Sequence, residues 1–116
     1  MRMIPLDATN KVPIDVAFLW EFASHARTPL GRVVAQILET ARPQIIEKFY
    51  FAWDPLAAVA FVDPAVVTTK RLSLTVRRKS PEEGRTKEVS RRPNVTVAWD
   101  ADPARFKKIF LAAFEE

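Results

Sequence analysis

An α/β fold, with four or five helices packed on three or four short strands, is the architecture this sequence predicts. Leu30, Val33, Val34, Ile37, Leu38 and Ala41 recur at the helical period, which marks an amphipathic helix. Leu72, Leu74 and Val76 alternate with Arg71, Ser73, Thr75 and Arg77, and Val95, Val97 and Trp99 form a second alternating run. A period of two places one face of a strand against the core. Helical patterns stand before and after these strands, as in a mixed α/β chain rather than an all-β one.

Taken in order, Met3-Ile4-Pro5-Leu6 is a short apolar run followed by the polar cluster Asp7-Ala8-Thr9-Asn10. It reads as a strand ending near Leu6, with Asp7, Thr9 and Asn10 at its carboxyl end, where open α/β sheets bind ligands. The same cluster also suits an ordinary turn. A helix starting near Pro13 follows, carrying Val16, Phe18, Leu19, Trp20 and Phe22. Trp20 is expected in the core, and His25 falls at the helix end, where a partly charged imidazole complements the dipole.

Thr28 and Pro29 supply the N-cap and first residue of the next helix, which Pro43 ends. A second helical piece runs from Gln44 to about Phe49. The aromatic cluster Phe49, Tyr50, Phe51 and Trp53 then leads into Asp54-Pro55, a helix-start pair in which Asp caps free N–H groups and Pro takes the first position. The helix from Leu56 to Val62 has no polar face, so it should be covered by protein on nearly every side. Asp63-Pro64 closes it.

Residues 67–78 read as one half-buried strand, residues 79–84 as a loop, and residues 85–90 as a charged antiparallel return. Pro93-Asn94 turns the chain into the strand of Val95, Val97 and Trp99. Asp102-Pro103 repeats the cap device and opens a last helix with Phe106, Ile109, Phe110, Ala113 and Phe114 at the helical period.

Composition narrows the function classes. At 116 residues and 48% apolar content the chain is read as a single domain, 1–116, with a real core. No run approaches the roughly 20 apolar residues of a membrane span, and the start carries no signal-peptide pattern. With no cysteine there is no disulfide framework, which suits a reducing, cytoplasmic setting. One histidine makes a His-based metal site or a histidine-dependent nucleophile implausible. Between Lys70 and Arg92 nine basic residues face three acids. No aromatic interleaves with them, so nucleic-acid binding is unlikely and a solvated basic hairpin is favoured.

Several stretches, in order, resemble the C-terminal part of the inosine-uridine-preferring nucleoside hydrolase family. Leu6-Asp7-Ala8-Thr9-Asn10-Lys11-Val12-Pro13 is similar to its Leu-Asp-x-Thr segment. Trp53-Asp54-Pro55-Leu56-Ala57-Ala58 is similar to its calcium-and-base motif. Val62-Asp63-Pro64 with Thr68-Thr69-Lys70, and then Pro93 to Ala98 with Asp100 and Phe106, are similar to its closing elements. The resemblance implies the C-terminal portion of a nucleoside hydrolase-like α/β fold, with helices on a short sheet, a β-hairpin and a C-terminal helix.

The resemblance also implies roles. Asp54 lines up with a calcium ligand, a hard oxygen donor suited to that ion. Trp53 stands where the inosine-uridine enzymes carry a histidine, and so resembles the purine-specific branch, in which a tryptophan stacks on the base. Tyr50 closes over ribose or base, and Asn10 joins the substrate-binding set. In such enzymes a calcium-held water attacks the ribose anomeric carbon. The family's aspartate-rich N-terminal motif has no counterpart here, and one carboxylate cannot fill a shell of six to eight oxygens. The chain is therefore expected to contribute no catalytic residue of its own, to be inactive alone and to assemble as a homo-oligomer. The alternative is a non-catalytic oligomerisation or binding module derived from the family.

Overall fold

The computed structural model describes residues 1–115. In chain order the elements are β1 (Arg2–Met3), α1 (Leu6–Thr9), α2 (Val16–His25), α3 (Pro29–Thr40), α4 (Arg42–Ile46), α5 (Trp53–Val62), β2 (Val67–Leu72), β3 (Leu74–Val76), β4 (Thr86–Glu88), β5 (Val95–Ala101) and α6 (Pro103–Ala112). A 3₁₀ turn, Pro64–Val66, joins α5 to β2.

β5 is the centre of a three-stranded sheet in the order β1-β5-β2. β1 runs parallel to it, with Arg2 opposite Thr96, and β2 runs antiparallel, with Leu72 opposite Val95. The pairing steps from Thr68 opposite Asp100 to Thr69 opposite Ala98, so Trp99 is the extra residue of a bulge.

The single strand expected over 67–78 is in fact two. Ser73 is buried between them, and β3 leaves the sheet to pair with β4 as a separate hairpin. The cause lies twenty residues on: the Leu74 N–H donates to Asn94 Oδ1 at 3.0 Å, and Asn94 Nδ2 donates to the Leu74 carbonyl at 3.1 Å. A side-chain amide satisfying both backbone groups replaces a strand partner there.

The core is an aromatic ladder between α2 and α6. Phe18 and Phe22, one turn apart, meet Phe106, Phe110 and Phe114 with ring centroids 5.3–6.3 Å apart. Phe22 and Phe106 are fully buried, each worth roughly 4–6 kcal/mol of gross apolar burial at about 25 cal/mol per Å². The caps that set the helices are local. The Asp15 carboxylate accepts from the Phe18 N–H at 2.7 Å, Thr28 Oγ1 from the Gly31 N–H at 2.9 Å, and Asp102 Oδ1 from the Arg105 N–H at 2.9 Å.

Four expectations are corrected. The first strand stops at Met3, and Leu6–Thr9 forms a helical turn because the Ala8 and Thr9 N–H groups both donate to the Pro5 carbonyl. α2 starts at Val16 rather than near Pro13, which instead pairs with Phe51 in a lone bridge. Trp20 is exposed rather than in the core, as are Leu30, Val33 and Ile37 on α3. α5 is not covered all round: Phe61 is 89% and Val62 77% exposed.

Candidate functional site

The stretch that opens α5 is held from the N-terminal segment. The Ile14 N–H donates to the Tyr50 carbonyl at 3.0 Å and the Ala52 N–H to the Val12 carbonyl at 2.9 Å, on either side of the Pro13–Phe51 bridge. Val12 is in turn tied to the α1 turn through its N–H on the Thr9 carbonyl at 3.0 Å. The polar cluster after the first strand and the aromatic cluster before α5 thus share one backbone frame.

That frame moves the helix start. α5 begins at Trp53, Ala52 occupies the N-cap position, and no side chain caps it. Asp54, expected as the cap, is the second helical residue, and Pro55 the third. Neither placement costs a helical bond, because the first four N–H groups of a helix have no intrahelical acceptor. The Asp54 carboxylate still complements the positive end of the helix dipole. It is exposed and accepts no hydrogen bond from its own helix among the described residues.

Trp53 is 38% exposed. Tyr50 meets it edge-on, with centroids 5.3 Å apart and planes at 66°, and Phe51 lies 6.1 Å away at 56°. Such contacts fix an indole without covering both its faces. Tyr50, Trp53 and Asp54 border one cleft of about 100 Å³, which Phe18, Phe106 and Phe110 also line. Small-molecule sites generally measure about 300–1,000 Å³, so this cleft alone does not enclose a nucleoside. Asn10 is exposed just after α1 and does not line the cleft.

Sequence reasoning placed Phe18, Phe106 and Phe110 on their helices and did not connect them with Trp53. The only signal was the matching i, i+4 spacing of Phe18/Phe22 and Phe106/Phe110. At the other end of α5, Arg105 Nε donates to Asp63 Oδ2 at 2.6 Å and ties α5 to α6. This bond, helped by the Ala65 N–H, holds the Asp63 carboxyl below its ordinary value against the opposing effect of burial.

Asp54 was tested as a calcium ligand on its donor set. Among the described residues no group of three or more His, Cys, Asp or Glu side chains could hold a metal ion. One carboxylate falls far short of six to eight oxygens, so the described residues do not by themselves fit a calcium site.

The comparisons with known proteins bear on this arrangement. The profile of the family described as "Inosine-uridine preferring nucleoside hydrolase" matches residues 1–108. The inosine-uridine preferring nucleoside hydrolase from Bacillus anthracis superposes with a TM-score of 0.81 at 22% identity, over 98% of this chain and 36% of its own. At that identity the likeness speaks for the fold, which is the C-terminal portion of such an enzyme. The purine-preferring ribonucleoside hydrolase from Gardnerella vaginalis gives a TM-score of 0.73 at 27% identity, over 98% of this chain and 39% of its own. The chain therefore spans little more than a third of the length of these two solved proteins. No curated protein matches it.

Proposed function

The chain belongs to the inosine-uridine preferring nucleoside hydrolase family, and from that premise we propose that it forms one wall of a site for cleaving the N-glycosidic bond of purine ribonucleosides. Trp53 stacks on the purine, Tyr50 closes over the ribose or base, and Asn10 reaches the substrate from the α1 side. Asp54 supplies one carboxylate to a calcium site whose other ligands are not on this chain. The carrying observation is that a partly exposed indole and a carboxylate with no hydrogen bond or ion pair among the described residues border one cleft at the head of α5.

The small volume of that cleft and the single carboxylate support the companion claim that these 116 residues do not turn over nucleosides alone. Cleavage sends the base away with a proton and leaves the hydroxyl of water on the ribose, which calls for a positioned water and a general acid or base. Inosine hydrolysis assayed on the isolated chain should give no product, while titrated inosine should quench Trp53 fluorescence in a completed assembly but not in its Trp53→Phe, Tyr50→Ala variant. Turnover by the chain alone would overturn the claim of incompleteness. The lack of cysteine supports a cytoplasmic setting for the reaction.

A second reading, a non-catalytic oligomerisation module, is favoured by the exposed stripe of Leu30, Val33 and Ile37 on α3. It requires that the chain self-associate in light scattering, that Val33→Glu, Ile37→Glu release monomers, and that no inosine bind in a completed assembly. A homo-oligomer is also compatible with the first reading.

A further inference from the structure

The two outer edges of the sheet differ in chemistry. β2 presents Thr68, Thr69, Lys70 and Arg71 to solvent, the polar and basic edge by which sheets avoid unwanted pairing. β1 is guarded only by its shortness and by one exposed charge, Arg2. It is a two-residue strand, parallel to β5, with its other edge unpaired among the described residues.

Grooves of mixed chemistry flank β1 on both sides. One, of about 610 Å³, is lined by Ile4, Ala57, Ala60 and Phe61 together with Arg2 and Thr96. The other, of about 370 Å³, is lined by Met3, Leu72, Val97 and Trp99 together with Asp7 and Lys70. A strand added to this edge would therefore bury side chains on both of its faces. That is the habit of a parallel strand inside an α/β sheet, whereas an amphipathic edge strand buries only one face.

The first groove continues onto α5. Asp54, Ala57, Ala58, Phe61 and Val62 follow the spacing i, i+3, i+4, i+7, i+8, and all five are exposed. We propose that the free edge of β1 and the outward face of α5 form a docking seam for an α/β body of the nucleoside hydrolase type, which adds a parallel strand to β1 and covers Phe61 and Val62. The size of the two solved relatives identifies the occupant, since more than half of each lies outside the part this chain matches. A second copy would pair β1 antiparallel across a two-fold axis, so a homodimer is an outcome that the test must separate from this one. The identity of the body rests on the nucleosidase reading; the location of the seam does not.

The test mixes the chain with the Gardnerella vaginalis hydrolase from which the segment matched by this chain has been deleted, and reads mass by size-exclusion light scattering. That enzyme's own excised segment is the positive control. The expected result is a one-to-one complex that Phe61→Asp, Val62→Asp weakens at least about tenfold, as for a buried anchor, and that Arg85→Ala on the hairpin leaves unchanged. Three results overturn the proposal: a complex with the excised segment but not with this chain, a complex indifferent to the Phe61 and Val62 changes, or a homodimer that those changes dissolve. A complex that forms but binds no inosine would leave the seam standing and remove the nucleosidase reading.

Discussion

Leu56→Ala is the sharpest probe of how the head of α5 is held. Leu56 is fully buried beneath the turn that carries Trp53 and Asp54, and its N–H donates to the Ala52 carbonyl at 3.1 Å. The change removes three carbons, about 2.4 kcal/mol of transfer free energy at about 0.8 each. The void left in a packed core raises the cost to about 3–5 kcal/mol. At about 0.05–0.15 kcal/mol per residue the chain holds roughly 6–17 kcal/mol in total, so the variant should still fold. Urea titration followed by tryptophan fluorescence should show the midpoint falling by about 2 M, given a slope of about 2 kcal/mol/M. Leu30→Ala, at an exposed position of α3, should cost under about 0.5 kcal/mol. If the two variants shifted the midpoint equally, the packing account of α5 would be wrong.

Three further outcomes are expected. Folding depresses the pKa of Asp63, first through Arg105, so its contribution to stability is complete above the ordinary carboxylate range and is lost as pH falls through the depressed folded value. Melts of wild type and Asp63→Asn should therefore separate at neutral pH and converge in acid, and parallel curves would refute the linkage. Gly31→Ala should destabilise by about 1 kcal/mol in chemical denaturation. Its Cβ would stand 3.1 Å from Ala26 Cα and from Phe114 Cβ, and about 1–3 kcal/mol of overpacking outweighs about 1 kcal/mol of helix propensity. Thr9 Oγ1 is buried without a partner, so Thr9→Val should be neutral or stabilising by up to about 1 kcal/mol; a loss larger than that would reveal a hydrogen bond at the hydroxyl.

Local chemistry was legible in the sequence, and distant chemistry was not. Thr28-Pro29 and Asp102-Pro103 announce their helices because cap and first turn lie within four residues, and both caps form as expected. The break at Ser73 was hidden because Asn94, far along the chain, makes it. Asp54-Pro55 marked the head of α5 to within a residue or two. The true start depends on Val12 and Ile14, which bind the preceding segment through backbone groups that carry no side-chain signature. At the site, Tyr50, Trp53 and Asp54 were found from their own stretch. The wall of Phe18, Phe106 and Phe110 needed the packing of α2 on α6. Burial was misjudged for Trp20 on α2 and for the far end of α5 because an apolar pattern does not show what covers it.

The open face of α5 joins the docking seam to the chemistry. Asp54 leads the stripe that ends in Phe61 and Val62, seven residues or about 10 Å away along the helix. A body large enough to bury those two side chains also lies over the carboxylate. A carboxylate taken from water without a partner is costly, so the covering body must bring a cation or hydrogen-bond donors to that point. The consequence is measurable as the affinity of the chain for the segment-deleted hydrolase. Asp54→Asn should weaken that complex, whereas in the free chain it should cost only the helix-dipole interaction, about 0.3–1 kcal/mol, since no hydrogen bond of its own helix depends on the carboxylate. Tighter docking of the variant would mean that the seam covers Asp54 with apolar surface only, and the carboxylate would then have no part in a shared site.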